Sequence, residues 1–167
     1  LTLPIEIVGG IKARCGNDFP VGLRFSVKSC IKDWRQGGLP GEHYEEKGRD
    51  LAEGIEAAKI LEAAGYDELN TDLGSYDAWY WSHPPIYQKE GLYLPYTKKL
   101  KEAVHIPVIV AGKLGVPKMA EHALEEGAAD MVGLARPLLT DPFWVKKVEH
   151  HHEEQIRPCI GLSLIHI

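Results

Sequence analysis

Three observations predict an α/β fold of parallel strands alternating with helices, half of a TIM (β/α)8 barrel. Residues 106–137, IPVIVAGKLGVPKMAEHALEEGAADMVGLARP, hold two apolar, β-branched runs separated by one amphipathic helix. That is a β-α-β unit and implies a right-handed parallel crossover. Along the whole chain the order is an opening helix followed by four strand–helix pairs, with no hairpin signal. The long connections all follow strands rather than helices, which in a barrel places them on the C-terminal face where such proteins keep their chemistry. A complete barrel typically takes about 250 residues, and this chain has 167.

The opening helix rests on Leu1, Ile5, Val8, Ile11 and Cys15, which keep a helical apolar spacing up to Gly16. No strand precedes it and there is no initiator methionine, so the N-terminus is expected to be cut. Phe19-Pro20 leads into residues 21–27, VGLRFSV, a strand with a single arginine, Arg24, buried in it. A long connection with Gly37-Gly38 and Pro40-Gly41 as turn signals runs to about Lys47. Residues 48–65 form the clearest helix, with Leu51, Ile55, Ala58 and Leu61 as its stripe and Gly65 as its end. Residues 69–71 follow as a short, weak strand.

A second long connection, residues 74–93, carries Tyr76, Trp79, Tyr80, Trp81, Tyr87 and Tyr93. So much aromatic area is costly to leave wet, and it reads as a lining for a flat apolar ligand, with a mobile surface loop as the alternative. A helix over 95–104 and a strand over 108–111 come next. Val116, Met119, Ala120, Ala123 and Leu124 then form one helical stripe closed by Gly127. A strand over 131–135 and a helix begun by Asp141-Pro142 complete the chain.

With 44% hydrophobic and 26% charged residues the composition is that of an ordinary globular domain. A formal charge of -5 and the lack of a basic stripe argue against a nucleic-acid surface. No apolar run approaches the roughly 18 residues of a membrane span. Cys15, Cys30 and Cys159 are few, odd in number and widely spaced, which argues for a reducing, cytoplasmic setting rather than a disulfide framework. The run His150-His151-His152-Glu153-Glu154 reads as a solvated helix end, because adjacent helical side chains point about 100° apart and cannot share one ion. The ending over 162–167, LSLIHI, is what the transposon-end adapter CTG TCT CTT ATA CAC ATC gives in translation. It is set aside from the fold as an artefact, with a genuine apolar tail as the alternative.

Both strands of the β-α-β unit end in residues suited to an anion. Gly112 lets a ligand approach the backbone, Lys113 and Arg136 supply charge, and N–H groups at the turns face outward. In a barrel the phosphate site commonly follows the last two strands. Solvated loop cations are an equally good reading of the spacing alone. A guanidinium inside an apolar strand must meet an anion or several acceptors. For Arg24 that leaves an ion pair with Asp72 or a cation facing a bound ring system.

Taken in order, FPVGLRFS, EAAKILEAAGYDELNTDLG, IPVIVAGKLG, ADMVGLARPLLTDPFW and RPCIG resemble the second half of the flavin barrel of the Old Yellow Enzyme family. The similarity covers nearly all of residues 1–161 and is to the branch of 2,4-dienoyl-CoA reductase and enoate reductase. It implies FMN, with Arg24 at the flavin pyrimidine edge. It further implies Gly112 and Lys113 at the phosphate turn after the seventh barrel strand, and Ala135 and Arg136 at the turn after the eighth. Relatives often carry arginine at the Lys113 position, and a lysine acts there only as a point charge.

Cys159 matches the first cysteine of the CxxC pair that opens a 4Fe-4S motif in this branch. The next cysteine would fall at position 162, so the motif is interrupted, and Cys159 alone reads as a free thiol. The resemblance assigns the cluster, and an FAD domain beyond it, to a longer parent protein. Tyr76 matches a histidine that acts with an upstream tyrosine in protonation, and His83 is a second candidate. The implied activity is NAD(P)H-dependent reduction of an activated C=C bond in a small molecule such as an enone, enoate or 2,4-dienoyl-CoA. The rivals are another flavin or sugar-phosphate barrel sharing the phosphate grip, and a non-catalytic half barrel.

Overall fold

The structure, a computed structural model, describes residues 1–161. The LSLIHI ending lies outside the described residues. Helix α1 (Thr2–Cys15) leads to strand β1 (Gly22–Lys28), and the connection after β1 folds back as a ribbon of β2 (Ile31–Asp33) and β3 (Gln36–Gly37). Helix α2 (Leu51–Ala63), strand β4 (Glu68–Leu73), the short helix α3 (Trp79–Ser82) and helix α4 (Leu94–Lys101) follow. Strand β5 (Val108–Ala111), helix α5 (Pro117–Glu125), strand β6 (Met131–Gly133) and helices α6 (Arg136–Thr140) and α7 (Trp144–Glu149) lead to a closing 3-10 turn, Glu153–Gln155.

Strands β1, β4, β5 and β6 form one parallel sheet in that order, so each strand lies beside its predecessor. Arg24 stands opposite Asn70, Asn70 opposite Ile109, and Ile109 opposite Met131. Because side chains alternate along a strand, this register sorts the sheet into two faces. Val27, Leu69, Thr71, Leu73, Val108 and Val110 point to the helices and are buried. Arg24, Ser26, Asn70, Asp72, Ile109 and Ala111 share the other, concave face and are only partly covered or exposed. The apolar run of β5, which reads as a parallel strand covered on both faces, is therefore buried on one face only among the described residues.

Helix α2 shows how the sequence sets an element. Asp50 accepts from Glu53 N at 2.9 Å while Glu53 Oε2 accepts from Asp50 N at 3.3 Å, a reciprocal cap that starts the helix three residues later than expected. Its buried side chains, Ala57, Ala58 and Leu61, face β1. Gly54 belongs to the same face, because an added Cβ would come within 2.9 Å of the Val27 carbonyl carbon and closer still to its oxygen. At the other end of β1, Asp67 staples the strand to α1, accepting from Val21 N and Lys12 Nζ at 2.7 Å each.

Several expectations are corrected. The antiparallel β2–β3 ribbon contradicts the absence of hairpins; it turns at Trp34-Arg35 with Arg35 at φ 55°, so no glycine or asparagine announces it. The aromatic connection is partly helical, as α3, and β6 stops at Gly133 rather than Ala135. Asp141 does not start a helix: it ends α6, and its carboxylate bridges to the segment beyond. Among the described residues no helix is long and apolar enough to cross a membrane.

Candidate functional site

At the C-terminal ends of β5 and β6, beside Arg24 of β1, the chain encloses a cavity of about 460 Å³. Seven of the residues singled out in the sequence line it: Arg24, His83, Gly112, Lys113, Ala135, Arg136 and Cys159. They come from five separate segments, so the parallel sheet, not sequence proximity, gathers them. Tyr76 is not among the lining residues. It is 89% exposed and stacks on Trp79, whose ring in turn stacks on His83 at 3.8 Å.

Arg24 departs from the expectation of burial. Its side chain is 58% exposed on the concave face, where its Nη2 lies 2.8 Å from Asp72 Oδ2 and its Nη1 donates to Asn70 Oδ1 at 3.1 Å. Ser26 donates to the other Asp72 oxygen at 2.5 Å and to Gly74 O at 2.8 Å. The period of two along β1 and β4 builds this network, since Arg24 and Ser26 oppose Asn70 and Asp72 in register. The ion pair with Asp72 and a role toward a ligand are thus compatible: the carboxylate fixes the guanidinium plane and leaves its remaining donors open to the cavity.

The turn after β5 is forced to be glycine. Gly112 has φ 120°, and an added Cβ would come within 2.9 Å of Tyr93 Cγ and closer to the ring edge. Tyr93 is itself buried and hydrogen-bonded through its hydroxyl to Trp81 O. Burial raises the Tyr93 phenol above its ordinary range, and the nearby Asp72 adds to that, so it stays protonated. The N–H groups of Lys113, Ala135 and Arg136 have no acceptor among the described residues and border the cavity. A concave turn of free backbone donors beside a guanidinium is chemistry suited to a phosphate.

The two cations of these turns are engaged differently. Arg136 donates to Pro84 O at 3.0 Å and Gly161 O at 3.1 Å, which uses two of its five donors. Lys113 donates to Pro85 O at 3.2 Å, Ile86 O at 2.7 Å and Gln88 O, and pairs with Glu90 at 3.2 Å.

Both hold the connection after β4, and Arg136 also holds the chain end that presents Cys159. That end is further anchored by Asp141, which accepts from Arg157 N at 3.0 Å and Lys147 Nζ at 2.5 Å. The Lys147 hydrogen bond keeps the Asp141 carboxyl below the usual carboxylate range.

His83 is the one imidazole in the cavity wall among the described residues. Burial and the Arg136 guanidinium hold it below its ordinary 6.5, against the opposing pull of Asp72. Its Nδ1 lies 3.3 Å from Ser82 Oγ.

The expected aromatic lining is largely absent. Trp81 is buried with its Nε1 on Gly38 O, Tyr87 is 77% exposed, and only Tyr93 of the six reaches the cavity. Trp144 and Glu90 also line it and escaped the sequence reading. Among the described residues no group of three or more His, Cys, Asp or Glu side chains is placed to hold a metal ion.

Parallel strands alternating with helices, with an anion-suited cavity at their C-terminal ends, define this chain as half of a (β/α)8 barrel. The family model described as NADH:flavin oxidoreductase / NADH oxidase family matches residues 1–155. The chain belongs to that family.

It is 57% identical over 161 residues to cinnamate reductase of Clostridium sporogenes, covering 96% of this chain and 24% of the relative. It is 32% identical to a multifunctional alkene reductase/demethylase of Caballeronia cordobensis, covering 95% and 22%. A solved 2-naphthoyl-CoA reductase in complex with 2-naphthoyl-CoA superposes with a TM-score of 0.80 at 28% identity, covering 94% of this chain and 22% of that one. The chain spans about a quarter of the length of the curated relatives it matches.

Proposed function

We propose that the full-length protein containing this chain is a cytoplasmic flavoenzyme that reduces an activated C=C bond of a small molecule with NAD(P)H, and that the cavity described here holds its FMN. The observation that carries the proposal is the convergence of Arg24, the Gly112 turn and the Ala135-Arg136 turn on one cavity. The residues fit the group: donors without acceptors border the space, and Gly112 brings the backbone close where a side chain could not stand. A bound flavin would supply hydride transfer.

The protein's own part is binding and electrostatics. The free N–H groups of Lys113, Ala135 and Arg136 and the spare Arg136 donors hold a phosphate. Arg24, held in plane by Asp72 and Asn70, places fixed positive charge where negative charge accumulates on reduction. His83, neutral at pH 7, offers an N–H to a substrate carbonyl oxygen or passes a proton, and stacking on Trp79 fixes its ring. Tyr76 reaches the site only through that stack.

The similarity to cinnamate reductase, far above that to any demethylating relative named, supports an enoate or enone as substrate over an amine. Cys159, held at the cavity rim by the Arg136–Gly161 contact, is one ligand of a 4Fe-4S cluster whose other thiolates lie elsewhere in the full-length protein, as does any FAD domain. The test is an anaerobic assay of the full-length product with cinnamate and a simple enone, with released flavin identified after denaturation. Bound FMN and NAD(P)H-dependent loss of the C=C absorbance are expected. A folded protein that neither binds FMN nor reduces either compound refutes the proposal.

A further inference from the structure

Resting on that reading, we infer that the Lys113 side chain positions the cavity wall formed by residues 85–91, on the side of His83, and is not a ligand of the flavin phosphate. An ammonium has three donors and no acceptor. Here Pro85 O, Ile86 O and Gln88 O already take all three, and Glu90 at 3.2 Å neutralises the charge. The side chain is only 9% exposed. A phosphate arriving beside it would meet a spent donor set and a local net charge near zero, whereas Arg136 keeps three donors free.

The backbone repeats the arrangement. Lys113 sits at φ 52°, a left-handed conformation that turns its side chain back over the connection, and its carbonyl accepts from Gly91 N at 3.0 Å. One residue therefore grips residues 85–91 at both ends. That segment carries Ile86 and Glu90 into the cavity and follows directly on His83 and Pro84, which line it too. Lys113 is thus a positioning residue for that wall, while its backbone N–H remains part of the phosphate turn.

The test uses the full-length product of the gene, deflavinated, as wild type and as Lys113→Met. Dissociation constants for riboflavin and for FMN are measured, and the first divided by the second isolates the phosphate. Amide hydrogen exchange is followed over residues 85–91, and KM and kcat for cinnamate are separated. The ratio is expected to stay within about twofold of wild type, because no phosphate contact is lost. Exchange over 85–91 is expected to quicken, and KM to rise by roughly tenfold with a smaller change in kcat.

A ratio that falls by about tenfold with unaltered exchange would make Lys113 a phosphate ligand and overturn the inference. Should Lys113→Met not fold, Glu90→Gln replaces it; quickened exchange with a ratio within about twofold of wild type supports the inference, and a ratio raised about tenfold with unaltered exchange, the result for an ammonium freed toward the phosphate, overturns it. If wild type binds no flavin, the functional reading fails, and exchange over 85–91 in the variants still decides the role of Lys113.

Discussion

Gly112→Ala separates two reasons a glycine can be required. Gly112 and Gly127 both have positive φ, at 120° and 63°, but nothing lies within 4 Å of an added Cβ at Gly127, whereas at Gly112 it would overlap the Tyr93 ring. Gly127→Ala therefore meets only the backbone penalty of the left-handed region, about 1–2 kcal/mol. Gly112→Ala meets a backbone penalty of about 1–3 kcal/mol and an overpacking cost of about 1–3 kcal/mol.

The ring cannot swing away cheaply, since its hydroxyl is tied to Trp81 O and it is 3% exposed. Gly112→Ala should thus be roughly 2 kcal/mol worse than Gly127→Ala, or about 4–8 °C in melting temperature. Tryptophan fluorescence on the full-length protein reads the transition, and flavin content reads the turn. Equal melting temperatures would show that the Tyr93 contact does not dictate glycine, and undiminished FMN content would show that this turn does not shape the phosphate site.

Arg24→Ala should weaken FMN binding and slow C=C reduction, with Arg24→Lys recovering part of both; a variant with full affinity and full rate rejects its role. His83→Gln should lower the rate by at least about tenfold, whereas Tyr76→Phe, at a position outside the cavity, should stay within about twofold; the reverse order would move the hydrogen bond to the substrate carbonyl to Tyr76. Because the His83 pKa is depressed and its neutral form is the one used, the rate should rise with pH through a value below 6.5 and then stay flat. That acid limb should vanish in His83→Gln. Asp141 has a lowered pKa, so the anchoring it gives is complete above the unfolded carboxyl value of about 3.9 and is lost as pH falls through its folded value. Amide protection over residues 157–161, relative to the intrinsic exchange rate at each pH, should accordingly fall in acid, and in Asp141→Asn at every pH; a fully protected tail in that variant would refute the anchor.

The strand–helix order was legible because it rests on period and on glycine endings, which are local. Val108 to Ala111 and the stripe from Val116 to Leu124 needed nothing from the rest of the chain to be seen. The β2–β3 ribbon was hidden because its turn is made by Arg35 in a left-handed conformation, stabilised by Asp33 Oδ1 accepting from Trp34 N at 2.7 Å, and neither residue is a turn signal in sequence. Asp141-Pro142 gave a helix-start signal, yet the same carboxylate serves Phe143 N, Arg157 N and Lys147. A capping residue read from sequence has no way to reveal a partner sixteen residues on.

At the site, position was readable and partnership was not. Gly112, Lys113, Ala135 and Arg136 could be placed at strand ends because strand ends are where apolar runs stop. Which acceptors their side chains choose depends on residues 84–90, a connection without period whose carbonyls approach from 25 to 52 residues away. Arg24 makes the same point from the other direction. An arginine in an apolar strand implies buried charge only if both faces of the sheet are covered, and alternation puts Arg24 on the concave face with Asp72 and Asn70 beside it.

That placement has a chemical consequence. A buried, fully neutralised pair would contribute little field, but a pair that is fixed on one side and open on the other keeps its positive edge directed into the cavity. Removing Asp72 would then strengthen the field of Arg24 while loosening its geometry. An Asp72→Asn protein should therefore hold the reduced flavin more tightly relative to the oxidised form even as its turnover falls, a combination that simple misfolding would not produce.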